Sequence, residues 1–112
     1  MAYDEALAER VRAAIDDLHT GGDVVEKKMF GGLAFLIGGN MAVGIREAAL
    51  MVRLPPDETA EALRDPGVRP FDMGRGPSRG WVLVDAPGVT EDADLRRWVA
   101  RGRTYAMSLP SK

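Results

Sequence analysis

Four short runs of β-branched and large apolar residues follow one another closely in the first half of the chain. They cover residues 24–30, 33–37, 41–46 and 49–54, and glycine pairs or a Glu-Ala step separate them. Runs of this kind, bounded by turn residues, are typical of β-strands. Connections this short join only antiparallel neighbours, because parallel strands need a crossover of about a dozen residues. The segment therefore predicts an antiparallel meander.

The residues Glu47 and Ala48 decide which side chains share a face of this sheet. If they form a two-residue turn, one face is apolar and pairs Ile45 with Leu50, Val43 with Val52 and Met41 with Leu54. The opposite face carries small or basic residues, namely Ala42, Gly44, Arg46, Ala49, Met51 and Arg53. We expect that face to be open to solvent or to a ligand, with Arg46 and Arg53 on one platform.

The preceding turn leaves two registers open. A three-residue loop, Gly38-Gly39-Asn40, turns Leu33, Phe35 and Ile37 toward the core, whereas a two-residue turn of the glycines alone turns them outward. Facing outward, they would form an apolar patch of the kind found at protein interfaces. We favour the three-residue loop. The candidate interaction surface comprises Lys27, Lys28, Leu33, Phe35 and Ile37.

Apolar residues at helical spacing predict a helix near each end of the chain. The first helix begins after Asp4 as its N-cap, ends near His19, and buries Leu7, Val11, Ala14, Ile15 and Leu18. The last helix has Thr90 as its cap and Pro110 at its end, and it buries a stripe from Leu95 to Leu109.

The segment between the meander and the last helix mixes regular and irregular parts. Residues 57–64 predict a short helix, residues 68–80 an irregular loop rich in glycine and proline, and residues 81–84 a buried strand. Residues 1–112 are thus predicted to form one α+β domain. Its fold is an antiparallel β-meander sheet with the N-terminal and C-terminal helices packed on one face.

Composition excludes several classes of function. The 112 residues include no cysteine, which rules out disulfides, thiol catalysis and cysteine-based zinc sites and fits a cytoplasmic protein. The formal net charge of -2 gives no strong general attraction for nucleic acid or an anionic membrane. The acidic, amphipathic N-terminus resembles neither a signal peptide nor a membrane anchor.

No group of residues has the spacing of a catalytic or metal site. Asp16, Asp17 and His19 do not share one face of the first helix, so we expect no metal there. The acidic pairs elsewhere are adjacent in sequence, and neighbouring side chains on a helix diverge by about 100°. We therefore expect no catalytic residues, no metal and no cofactor.

Two basic segments are candidates for anion binding. In residues 74–80, Arg75 and Arg79 alternate with glycines whose N–H groups can bind phosphate or carboxylate, although a plain solvated loop is the commoner explanation. Arg46 and Arg53 complete the candidate set if they project to the same side. The C-terminal basic residues are Arg96, Arg97, Arg101, Arg103 and Lys112, and we favour a solvated helix face over a nucleic-acid surface there.

The segment EKKMFGGLAF, residues 26–35, is followed by GNMA at 39–42 and LMVR at 50–53. With VRPFDM at 68–73, GWVLV at 80–84 and the Trp98-Val99 pair, it resembles the N-terminal domain of TfoX, the bacterial competence regulator. The resemblance implies an α+β fold of the secretion-chaperone-like type, whose members often form dimers or bind protein partners. It implies no established enzyme activity. Two-domain TfoX proteins carry a helical C-terminal domain, which is not expected after Leu109.

Our leading hypothesis is a small, non-enzymatic regulatory module that acts through a protein partner or self-association. An alternative is a binding protein or minor enzyme for an anionic small molecule, which would use Arg46, Arg53, Arg75 and Arg79. A further alternative is a transcription-linked nucleic-acid binder, which would use the C-terminal arginines. We rank nucleic-acid binding below protein binding, because the aromatic residues of the last helix lie on its buried stripe.

Overall fold

A computed structural model describes residues 3–18, 24–29, 31–72 and 77–110. The helices are α1 (Glu5–Asp17), α2 (Thr59–Ala62), which follows a 3-10 turn (Pro56–Glu58), and α3 (Asp92–Ser108). The strands are β1 (Val24–Met29), β2 (Gly32–Ile37), β3 (Asn40–Arg46), β4 (Ala49–Arg53), β5 (Val68–Asp72) and β6 (Pro77–Val84). His19, Arg75 and Lys112 lie outside the described residues.

The six strands form one antiparallel sheet in the order β1-β2-β3-β4-β6-β5. The predicted meander over the first four strands is confirmed, and β1 and β5 are the edges. Helices α1 and α3 pack against each other and on one face of the sheet, as predicted for the α+β fold. Among the described helices, none is long and apolar enough to cross a membrane.

The main core lies between this face and the two helices. Trp98 and Leu95 of α3 meet Phe35, Ile45 and Leu50 of the sheet, and all five are buried. Helix α1 is fixed at its start by Asp4, as predicted, because the Asp4 carboxylate accepts hydrogen bonds from the N–H groups of Ala6 and Leu7. These contacts bury the apolar stripes of both helices.

The turn between β2 and β3 differs from the favoured prediction, yet the predicted core face is retained. Ile37 pairs with Asn40, so the turn contains only Gly38 and Gly39, both at positive φ. A bulge follows, because Leu36 pairs with Met41 while Phe35 pairs with Val43. This extra residue in β3 places the inward side chains of β2 opposite the inward side chains of β3, despite the shorter turn. Leu33, Phe35 and Ile37 are 3%, 1% and 4% exposed, and the outward alternative is wrong.

The bulge also changes the predicted neighbours at the start of β3. Met41 lies with the residues of the opposite face, and Ala42 packs with Ala106 of α3. The predicted pairing of Met41 with Leu54 and the predicted place of Ala42 are therefore wrong. The other two pairs of that hairpin, Ile45 with Leu50 and Val43 with Val52, are confirmed.

Two further expectations are corrected by the structure. Residues 68–72 and 77–84 form the hairpin of β5 and β6, where the sequence predicted an irregular loop over 68–80. Pro70 is compatible with a strand because β5 is an edge. Helix α3 has Glu91 as its N-cap without a side-chain hydrogen bond, so Thr90 is not the cap. The helix ends at Ser108, two residues before Pro110, as Pro110 predicted.

Candidate binding face of the sheet

The face opposite α1 and α3, called the outer face below, can be followed across five strands. Its register joins Lys27 to Ala34, Gly44, Met51 and Leu83. Each of these residues lies beside the next on a neighbouring strand, so their side chains point to the same face. Lys27 is exposed, whereas the other four are buried.

A small apolar cluster occupies the centre of the outer face. Ala49, Met51, Phe71 and Leu83 are buried together, and Met41 and Trp81 pack against them. The predicted open platform is therefore partly covered, because the unpredicted β5 strand brings Phe71 into contact with β4. The cluster gives the outer face an apolar centre.

Two arginines flank this cluster and lie against aromatic rings. The guanidinium carbon of Arg46 is 5.7 Å from the ring centroid of Phe71, and the Phe71 and Trp81 rings are 6.3 Å apart. Arg53 is 5.4 Å from the Trp81 centroid and 5.6 Å from that of Tyr105 on α3. These distances are within the range of cation–π attraction, which stabilises a guanidinium without neutralising its charge.

Arg46 and Arg53 stand at opposite ends of the hairpin they share. Arg46 pairs with Ala49, and Arg53 lies four residues further along β4. At the rise of an extended strand, this separation is about 13 Å. Within the described parts of the chain, neither arginine forms an ion pair with a carboxylate.

Of the other two predicted anion-binding residues, only Arg79 is described. Arg79 is exposed and lines a cavity of about 220 Å³ together with Trp81, Pro70, Leu63 and Thr59. The Thr59 hydroxyl accepts a hydrogen bond from the N–H of Gly80, which holds α2 against β6. Trp81 therefore lies between this cavity and the guanidinium of Arg53.

Three of the four arginines of α3, Arg96, Arg97 and Arg101, lie beside carboxylates, whereas Arg103 forms no ion pair within the described residues. Arg96 is 2.7 Å from Asp17 of α1, and Arg101 is 3.2 Å from Glu58. Arg97 lies 3.9 Å from Asp65 and 3.8 Å from Asp94. These pairs offset the basic charge that the sequence places on the last helix, which supports the expectation of a solvated helix face.

The candidate interaction surface is divided by the fold. Lys27 and Lys28 are exposed on β1, but Leu33, Phe35 and Ile37 are buried and belong to no surface patch of the monomer. The sequence missed Phe71, Trp81 and Tyr105 as neighbours of the arginines. The strands β5 and β6 that carry two of them are distant in sequence from β4.

One ion pair ties β1 to α1. The Arg12 guanidinium donates two hydrogen bonds to Glu26, at 2.7 and 2.8 Å, and also contacts Glu9. These hydrogen bonds from Arg12 lower the pKa of Glu26 and raise the pKa of Arg12, against the opposing effect of partial burial. In the described ranges no three histidine, aspartate or glutamate side chains cluster as metal ligands would.

The comparison with known families gives one match, since a family model described as the TfoX N-terminal domain matches residues 16–106. The match covers most of the 112 residues, from the end of α1 to near the end of α3. Neither the search of curated proteins nor the search of solved structures gave a significant match.

Proposed function

Since the chain belongs to the TfoX N-terminal domain family, we propose that it is a non-enzymatic regulatory module that binds an acidic segment of a partner protein on its outer face. The proposal places this module in the cytoplasm, and the absence of cysteine fits a reducing compartment. A competence-regulator-like role would then depend on which partner supplies the acidic segment.

One observation carries this proposal. Arg46 and Arg53 rest on aromatic rings and form no ion pair with a carboxylate in the described part of the chain, whereas Arg96 and Arg101 are paired with carboxylates. A guanidinium held against a ring loses less side-chain freedom on binding, and its donors stay free for a carboxylate. Arginine and tryptophan are also the residues that most often dominate the binding energy of protein interfaces.

The geometry indicates the form of the acidic segment. Measured along the strand direction, the two arginines are about 13 Å apart, a distance that an extended peptide spans in four residues. Carboxylates at positions i and i+4 of such a peptide can reach both guanidinium groups. The side chain at position i+2 shares the face of the two acids and meets the apolar cluster of Ala49, Met51 and Phe71, while the side chains at i+1 and i+3 point away from the sheet. The preferred segment therefore has two acids, four residues apart, with an apolar residue midway between them.

The test uses a capped, fluorescently labelled peptide of sequence Glu-Thr-Val-Thr-Glu and a matched peptide with glutamine at both acidic positions. We expect fluorescence anisotropy to show binding of the acidic peptide only. The double variant Arg46→Glu/Arg53→Glu should weaken that binding by about tenfold or more, since it removes two charge pairs. Equal binding of both peptides would overturn the proposal.

A matched control separates a local site from general charge. The double variant Arg96→Glu/Arg101→Glu makes the same change in net charge, but on arginines that are paired on the helix side. We expect it to bind the acidic peptide with unchanged affinity. A loss equal to that of Arg46→Glu/Arg53→Glu would show nonspecific electrostatic attraction instead of a site.

A small anionic ligand is a second candidate, favoured by the cavity that Arg79 and Trp81 line. Citrate and inorganic phosphate serve as probes in a thermal-shift measurement. Under this alternative, Arg79→Glu abolishes the stabilisation by the anion and leaves peptide binding intact. A single-stranded oligonucleotide in the same anisotropy assay tests the nucleic-acid alternative, which requires a steep loss of affinity with added salt.

A further inference from the structure

Among the residues that the structure describes, strand β1 is an open edge of the sheet, and it has two large apolar side chains on its surface. Residues 25–29 are all exposed, with Val25 at 55% and Met29 at 41%. An edge strand also presents N–H and C=O groups that have no partner on its outer side, and these can pair with a further strand. This combination makes β1 a candidate for strand addition.

The register with β2 fixes how β1 presents these groups. Val25, Lys27 and Met29 lie opposite Leu36, Ala34 and Gly32, so they share the outer face, while Val24, Glu26 and Lys28 share the helix side. Hydrogen-bonded and non-hydrogen-bonded pairs alternate in an antiparallel ladder, and the pair next to a tight turn is hydrogen-bonded. The backbone groups of Val24, Glu26 and Lys28 therefore point to the open side.

We propose that a second copy of this chain pairs with β1 in antiparallel fashion, with the two-fold axis passing through Lys27. In this register Val25 lies opposite Met29 of the second copy, twice by symmetry, so both exposed apolar side chains find an apolar neighbour. Glu26, which is already paired with Arg12 of its own chain, lies opposite Lys28 of the second copy, also twice, so Lys28 faces a carboxylate across the strands and not a like charge.

The two neighbouring registers are less favourable. An axis through Glu26 places Glu26 opposite itself and Val25 opposite Lys27, so a like-charge pair forms and Val25 has no apolar partner. An axis through Lys28 places Lys28 opposite itself and Met29 opposite Lys27, so a like-charge pair forms there too and Met29 has no apolar partner. In the proposed register only Lys27 faces a like charge, and its long side chain can turn its ammonium group toward solvent. An axis that passes between two residues would pair side chains of opposite faces, so such registers are excluded.

Pairing of this kind joins the two six-stranded sheets into one. The axis is perpendicular to the sheet, so the outer faces of both copies lie on the same side. The dimer would therefore present Arg46 and Arg53 twice on one surface. The pairing depends only on β1 and does not require the acidic peptide to bind, so each proposal can fail without the other.

The test uses the natural absence of cysteine in the chain. Under the proposed register the Cα atoms of the two Lys27 residues are about 4.5 Å apart, which suits a disulfide, so Lys27→Cys should form a cross-linked dimer on mild oxidation. The matched control Lys28→Cys should not, because its two Cα atoms lie beyond the reach of about 7 Å that a disulfide allows.

A second measurement does not depend on cross-linking. Light scattering over a concentration series should show dimers of the wild-type protein and monomers of Val25→Lys, which replaces an exposed side chain and should still fold cooperatively, with an unfolding temperature lower only by the lost dimer stabilisation. A monomeric wild type, equal cross-linking of Lys27→Cys and Lys28→Cys, or a dimer that persists in Val25→Lys would each overturn the pairing. Peptide binding by the same proteins reports separately on the outer face.

Discussion

The arginines of α3 and the arginines of the outer face have the same charge but different neighbours. Arg96 and Arg101 lie within 3.2 Å of carboxylates on other elements. Arg101 also lies over an aromatic ring, 4.9 Å from the Trp98 centroid, but Arg46 and Arg53 lie on aromatic rings without forming an ion pair within the described residues. The first pair helps to join the helices to the rest of the fold, although exposed ion pairs contribute little stability. The second pair forms no ion pair within the described residues, and this difference is the basis for proposing the outer face as the binding face.

The two tryptophans give the comparison its largest expected effect. Trp98 is fully buried between α3 and the sheet, while Trp81 is only partly buried on the outer face. We expect Trp98→Ala to lower the free energy of unfolding by about 3–5 kcal/mol, because it leaves a large cavity. Trp81→Ala should cost distinctly less. Urea denaturation of both variants measures the difference, and equal losses would contradict the assignment of the main core to the helix side.

Gly102 tests how closely α3 approaches the sheet. A Cβ at this position would overlap the backbone oxygen of Ala42 on β3. Alanine is otherwise a better helix former than glycine by about 1 kcal/mol. We nevertheless expect Gly102→Ala to lower the free energy of unfolding by about 1–3 kcal/mol through overpacking. Thr104→Ala, at an exposed position of the same helix, should cause no loss. A stabilising Gly102→Ala would show that α3 lies further from β3.

The ion pair of Arg12 with Glu26 gives the smallest effect and a pH signature. Because the pKa of Glu26 is lowered in the folded state, the pair stabilises the fold above the unfolded pKa, and this contribution is lost as the pH falls through the folded pKa. Both side chains are more than a third exposed, so solvent limits the contribution to less than about 1 kcal/mol.

Unfolding of Glu26→Gln at several pH values measures that contribution. We expect the variant to be less stable than the wild type at pH 7 and equally stable in strong acid. Arg46→Gln is the outer-face control, since it removes a charge that forms no ion pair in the described part of the chain. A pH-dependent loss of the same form in Arg46→Gln would contradict the distinction between the two sets of arginines.

Local patterns in the sequence were sufficient to predict the helices, the meander and the α+β class. The role of Asp4 as N-cap could be predicted because the capping interaction involves only residues that are neighbours in sequence. The bulge in β3 could not be predicted in this way. It shifts Met41 to the outer face and lets the backbone at Ala42 meet Gly102 on α3, a contact between residues far apart in sequence. Periodicity within one strand contains no information on such a contact.

The candidate site was predicted in part for the same reason. The alternation along β3 and β4 predicts that Arg46 and Arg53 share a face, because both lie on one hairpin. Their aromatic neighbours come from β5, β6 and α3, and only the pairing of β4 with β6 brings Trp81 beside Arg53. The glycine and proline content of residues 68–80 is typical of a loop, so the edge strand that carries Phe71 was not predicted.

The central claim is that the outer face, and not the helix side, binds the acidic segment. The chain has two tryptophans, one on each side of the sheet, so their two indole N–H signals in a ¹H–¹⁵N correlation spectrum report on the two faces separately. On titration with the Glu-Thr-Val-Thr-Glu peptide, we predict that the Trp81 signal shifts together with the amides of Arg46 and Arg53, while the Trp98 signal stays in place. Shifts confined to Trp98 and the amides of α3, or no shift at either indole, would contradict the account.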